Sequence, residues 1–204
     1  MRRSKYGYLL LALLVITGLA GTVTSTSITS KERKFAAGSL KDTRNEFLKS
    51  VKNLSKIQLE FKVAPSKWSV KECVYHEAIS ERSLWDLLQS TLKQPTNPEK
   101  RSEIKLTDEQ LIKLVEDRTN KLKIEGQNHQ VFKTVDEALE NFKSTRADDI
   151  KYIKNTTEDL RNHVVQTSFG WVDCYQLCLM ISAFCNRRMQ QIEELKADSH
   201  YPSR

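Results

Sequence analysis

The chain has 204 residues, enough for one ordinary domain with a sizeable core. Hydrophobic residues make up 39% and charged residues 29%, which excludes a disordered chain, and 6 Gly with 4 Pro argue against a turn-rich sandwich or barrel. The net charge is +7, but Arg2, Arg3 and Lys5 stand in the first eight residues and the remaining excess is spread out with no interleaved aromatics, so no nucleic-acid partner is expected.

Residues 1–8, MRRSKYGY, hold three cations and no acid; LLLALLVITGLA follows at 9–20, and then small and hydroxylated residues. This basic, apolar, small order is that of a secretory signal. A spanning helix usually needs roughly 20 apolar residues, and residues 6–23 approach that length. Residues 1–30 are therefore read as a signal peptide or an N-terminal membrane anchor, and the protein as exported (periplasmic or extracellular) or membrane-tethered. LAGT at 19–22 has Thr22 where a lipid-bearing cysteine would stand, so no lipid anchor is expected.

From residue 31 the pattern is helical. Phe35, Leu40, Phe47, Leu48, Val51 and Leu54 approximate an apolar stripe over 31–54. Residues 55–68 read as irregular, with Pro65 stopping any helix. Ser69 and Glu72 make a capping box, in which each side chain satisfies a free backbone N–H, and open a helix over 69–93. A polar loop with two prolines leads to a short helix introduced by Thr107 and Gln110, and residues 119–133 read as loop. Thr134 with Glu137 opens a long helix over 134–165, Gly170 breaks the chain, and a last helix spans 171–197. Leu84, Leu88, Phe142, Ile153, Leu177 and Ile181 are the expected core. The fold class is all-α: an antiparallel four-helix bundle over 31–202 with a crossover connection carrying the short helix.

Cys73, Cys174, Cys178 and Cys185 match no common zinc spacing. Cys174 and Cys178 lie on successive turns, a poor place for a disulfide, so all four read as small apolar core residues. No nucleophile elbow and no glycine-rich phosphate cradle occurs.

Two stretches carry a family resemblance. WSVKECVYHEAISE at 68–81 resembles the segment of the DinB-like family in which Trp-Ser leads into a helix bearing a metal-binding histidine. FGWVDCYQLCLMISAFCNRRMQQIEELKADSHYP at 169–202 is similar to the family's last helix, matching at Gly170, Asp173, Tyr175, Gln176, Arg187, Gln191, Ile192, Glu193 and Glu194; EDLRNHVVQ before it also matches. The resemblance implies a four-helix bundle. It further implies a divalent metal held by three histidines, one on the second long helix and two at i, i+4 on the last, and in some members thiol-transferase chemistry.

At the three ligand positions this chain has His76, Phe184 and Arg188. Phenylalanine cannot ligate, and arginine offers only donors and a positive charge. The site therefore reads as degenerate, with no metal and no other cofactor expected; zinc or nickel would enter only if that reading failed. Arg188 falls on the apolar stripe of the last helix and should seek a carboxylate, with Glu77, Glu81 and Asp149 as the candidate partners. The function expected is an exported, metal-free bundle of bacterial type acting as a binding or structural module for an unidentified small molecule or protein. The alternative is a thiol transferase or hydrolase-like enzyme using a remodelled pocket around His76. No catalytic residue and no oligomeric state can be assigned from the pattern.

Overall fold

A computed structural model describes residues 28–119 and 132–203. Almost all of the 1–30 leader, His129 and most of the 119–133 loop lie outside the described residues. No helix among those described is long and apolar enough to cross a membrane.

Four long helices make the body: α1 (Ser30–Val51), α3 (Val70–Leu92), α5 (Val135–Asn155) and α6 (Cys174–Lys196). Two short ones lie in the connections, α2 (Lys56–Glu60) and α4 (Asp108–Glu116), together with a 3-10 turn at Pro98–Glu103. The capping chemistry starts α3, α4 and α5 where the sequence places them. Ser69 and Glu72 form their reciprocal box at α3, and Thr107 with Gln110 does the same at α4. At α5 Thr134 accepts from the Glu137 N–H, while the Glu137 carboxylate takes the N–H of Lys133 instead.

Each of α1 and α3 packs on both α5 and α6, which places the four long helices on a square. Paired residues give their directions. Arg33 meets the Ile153 carbonyl and Phe47 meets Phe142, so α1 and α5 are antiparallel. Arg188 meets His76 and Cys185 meets Glu77, while Leu84 and Leu88 pack with the first half of α6, so α3 and α6 oppose each other as well. Glu81 meets Arg146 and Trp85 meets Tyr152, so α3 and α5 run the same way. The crossover through the 3-10 turn and α4, which packs on α6, returns the chain along the bundle and permits that parallel pair.

Three boundaries differ from the expectation, the first being the end of α1 at Val51 and not at 54. Helix α5 ends at Asn155, not at 165, and α6 begins at Cys174, not at 171. Between them lies an antiparallel hairpin, β1 (Val164–Thr167) with β2 (Gly170–Asp173). Thr156 is extended and its hydroxyl accepts from the Glu158 N–H, which diverts the chain from the helix. The Asn97 side chain then clamps both backbone groups of Val164. Gly170 has a φ of +95°, a left-handed conformation that closes the hairpin turn. The segment read as irregular also holds α2, with its own capping box from Ser55 and Gln58.

All six expected core residues are buried. The core is not continuous, however. One apolar cluster gathers Leu40, Leu84, Leu88, Ile153 and the first half of α6; the other gathers Phe47, Val74, Phe142, Cys185 and Ile192. Between them lies a polar layer of Thr43, Glu77, Glu81, Arg146, Asp149 and Ser182, all but Thr43 buried. The four cysteines are free and buried.

Candidate functional site

The first turns of α3 and the second half of α6 bring His76 and Arg188 together. Trp68 precedes the Ser69 cap and is held beside α3, where its ring lies 4.6 Å from that of His76 and 4.7 Å from the Arg188 guanidinium carbon. An Arg188 Nη donates to His76 Nδ1 at 2.7 Å, and its other Nη donates to the Gln191 side chain. The Ser80 hydroxyl also reaches His76 Nδ1, at 2.9 Å. Arginine has no acceptor, so Nδ1 must carry the lone pair, and the ring is neutral with its hydrogen on Nε2. Burial and the adjacent guanidinium both disfavour a second proton, and the His76 pKa is pushed down to about 3.

The carboxylates expected for Arg188 go elsewhere. Glu81 does turn inward from α3, but both its oxygens bind Arg146 of α5, a side chain with no exposed surface. Arg146 also donates to the Leu40 carbonyl and the Thr43 hydroxyl of α1, and its planar head lies over Phe142. Glu77 lies 3.9 Å from Arg146, and its own pKa is raised by burial and by the neighbouring Glu81. Asp149 is buried beside Glu81, and burial with the Glu81 charge raises its pKa. Burial and the Glu81 charge thus favour its protonated form, which offers Arg188 no counter-charge. Arg188 thus has no salt bridge among the described residues. Burial lowers its pKa, the neighbouring Cys73 and Glu77 hold it up, and Arg118 opposes its charge.

The expected pairing failed because one turn on a helix decides which neighbour an inward side chain meets. Glu81 stands at the level of Arg146, a turn beyond His76. The sequence carried a signal for Arg146: it lies in register with Phe142, Asp149 and Ile153, a mixed apolar and acidic stripe on one face of α5.

A metal ion does not fit these residues. His76 Nδ1 is already taken by a cation. Phe184 is buried in the apolar cluster, edge-on to Phe169 at 5.8 Å. Among the described residues no group of three or more His, Cys, Asp and Glu side chains is placed to hold a metal. Cys73 lies beside Arg188, but burial raises its thiol to about 11, which keeps it protonated at neutral pH.

A second arginine missed in the sequence organises the other end of the bundle. Arg161, in the turn after α5, binds Glu32 in the first turn of α1, Asp108 at the start of α4 and Asp173, the N-cap of α6. Its guanidinium carbon lies 4.2 Å from the Tyr175 ring centre. Asp173 still accepts from the Gln176 N–H while holding Arg161. The role is structural: one cation joins three helix starts whose acids already serve the helix dipoles.

The sequence model of the DinB superfamily matches residues 39–192. No curated protein and no solved structure matches the chain.

Proposed function

The chain belongs to the DinB superfamily, and from that premise we propose that it is a metal-free binding module whose recognition position is the family's metal position, with the Arg188 cation standing in for the ion. The observation that carries this reading is the hydrogen bond from Arg188 to His76 Nδ1. It consumes the lone pair a metal would need and sets a fixed positive charge, without a carboxylate partner among the described residues, beside the half-exposed Trp68 ring. A guanidinium in that state favours an anionic ligand group.

The same bond argues against an enzyme centred on His76. A general base at neutral pH needs a pKa near 7, and a group held at about 3 with its acceptor nitrogen already engaged is a poor proton acceptor. The proposal extends to location: the N-terminal segment 1–30 exports the body or tethers it to a membrane, and fractionation with N-terminal sequencing of the native protein tests that part.

Metal titration of the purified chain tests the module. The wild type is expected to bind no stoichiometric zinc or nickel, and Phe184→His with Arg188→His is expected to bind one ion together with His76. Stoichiometric metal on the wild-type protein would overturn the reading.

A further inference from the structure

At the end of the bundle away from Arg161, the close of α1, α2, the start of α3 and the start of α5 line an open pocket of about 830 Å³. That lies inside the range of roughly 300–1,000 Å³ usual for small-molecule sites. Leu48, Leu54, Leu59 and Leu139 give it an apolar floor. Five lysines line it as well: Lys52, Lys56, Lys71, Lys133 and Lys143, against the two carboxylates Glu60 and Asp136. Lys143 is paired with Glu140. The other four make no salt bridge among the described residues, and Lys71 only leans over the Tyr75 ring at 5.7 Å. Tyr75 itself lines the pocket, and its hydroxyl is buried with no hydrogen-bond partner.

Each of these features asks for a different part of one ligand. Uncompensated like charge around a cavity raises the local concentration of an anion. A leucine floor gains from apolar surface and cannot be satisfied by a small hydrated ion. A protein partner would cover a broad flat area of about 800 Å² on each side, whereas this is a concave pocket.

We propose that this pocket binds a single-chain anionic amphiphile, of the long-chain carboxylate class, with its tail on the leucine floor and its head among Lys52, Lys56, Lys71 and Lys133. The proposal goes beyond the Arg188 reading and shares no residue with it, so either can fail alone.

The test is titration of the full chain, held in nanodiscs of zwitterionic lipid, with a fluorescent long-chain carboxylate, read against empty nanodiscs. Saturable binding with one probe per chain is expected. The probe's methyl ester should bind at least about tenfold more weakly, since it lacks the charge. Lys71→Glu with Lys133→Glu should cost a similar factor, with an unchanged circular dichroism spectrum. Lys105→Glu with Lys113→Glu makes the same charge change outside the pocket and should leave binding intact. Leu139→Glu should abolish it. Equal binding of acid and ester, displacement of the probe by inorganic phosphate as readily as by the unlabelled long-chain acid, or full affinity in the Lys71 and Lys133 variant would each overturn the proposal.

Discussion

Arg146 and Arg188 both reach into the bundle beside α3, and their charges are met in opposite ways. Arg146 is fully buried and bonded to both oxygens of Glu81, with Glu77 close by and two α1 oxygens completing its donors. Arg188 touches a neutral imidazole, a neutral amide and an aromatic face. The first is a closed ion pair that spaces two apolar clusters. The second is a cation with no salt bridge among the described residues. A buried charge that is already matched has nothing left for a ligand, so the difference separates a structural arginine from a candidate recognition arginine.

The sharpest way to break that contrast is Arg146→Met. It leaves Glu81 and Glu77 buried without their cation, and we expect a loss of about 3–5 kcal/mol of unfolding free energy by urea titration. Adding Glu81→Gln to Arg146→Met should recover part of the loss, because the uncompensated charge is then gone. A loss below about 1 kcal/mol for the single variant would mean that the polar layer is not the closed pair described.

Arg161 lies between the two cases, since it is about a fifth exposed yet binds three carboxylates. Arg161→Ala should cost about 2–3 kcal/mol, less than the Arg146 variant because water can replace part of the lost bonding. Hydrogen exchange should localise the damage to the first turns of α1, α4 and α6.

Asp149 supplies a pH test of the polar layer. Its folded pKa is raised by burial and by Glu81. The folded chain keeps this proton after the unfolded chain has lost it, so the contribution is full below the unfolded carboxylate range and is lost as pH rises through the folded value. Asp149→Asn removes that titration. The decline of stability with rising pH above about 4 should become shallower by up to about 1.4 kcal/mol per pH unit, read from urea midpoints across the pH series.

The bundle was legible because its signals are local. Ser69 with Glu72 and Thr107 with Gln110 mark helix starts through bonds within one turn, and the apolar spacing that named Leu88, Phe142 and Leu177 as core is a property of single helices. The hairpin was not legible. Its clamp comes from Asn97, far earlier in the chain, and VVQT has too few residues to show a strand period against the helical stretch before it. Of the residues named from family motifs, His76 and Arg188 are brought together while Phe184 packs in an apolar cluster, and Glu77, Glu81 and Asp149 are buried. Which acid meets which arginine depends on axial register between α3, α5 and α6, and no single-helix pattern encodes that.

The smallest expected effect is the most diagnostic. Arg188→Met breaks no salt bridge among the described residues and keeps a long apolar stem against Trp68, so unfolding free energy should fall by less than about 1 kcal/mol. The expected change lies in His76. With the guanidinium in place the ring is neutral, its hydrogen is on Nε2, and its pKa is about 3. Between the unfolded histidine value and that folded value the unfolded chain binds a proton the fold refuses, so this group's support is full above about 6.5 and is lost as pH falls toward about 3. Removing Arg188 removes one of the two causes of the shift and leaves burial, the larger one. Imidazole nitrogen shifts in a pH titration followed by NMR should therefore show the His76 midpoint moving upward in Arg188→Met while remaining below 6.5. A wild-type His76 with its hydrogen on Nδ1 would instead place Arg188 away from the ring, and the Arg188 cation would lose its anchor.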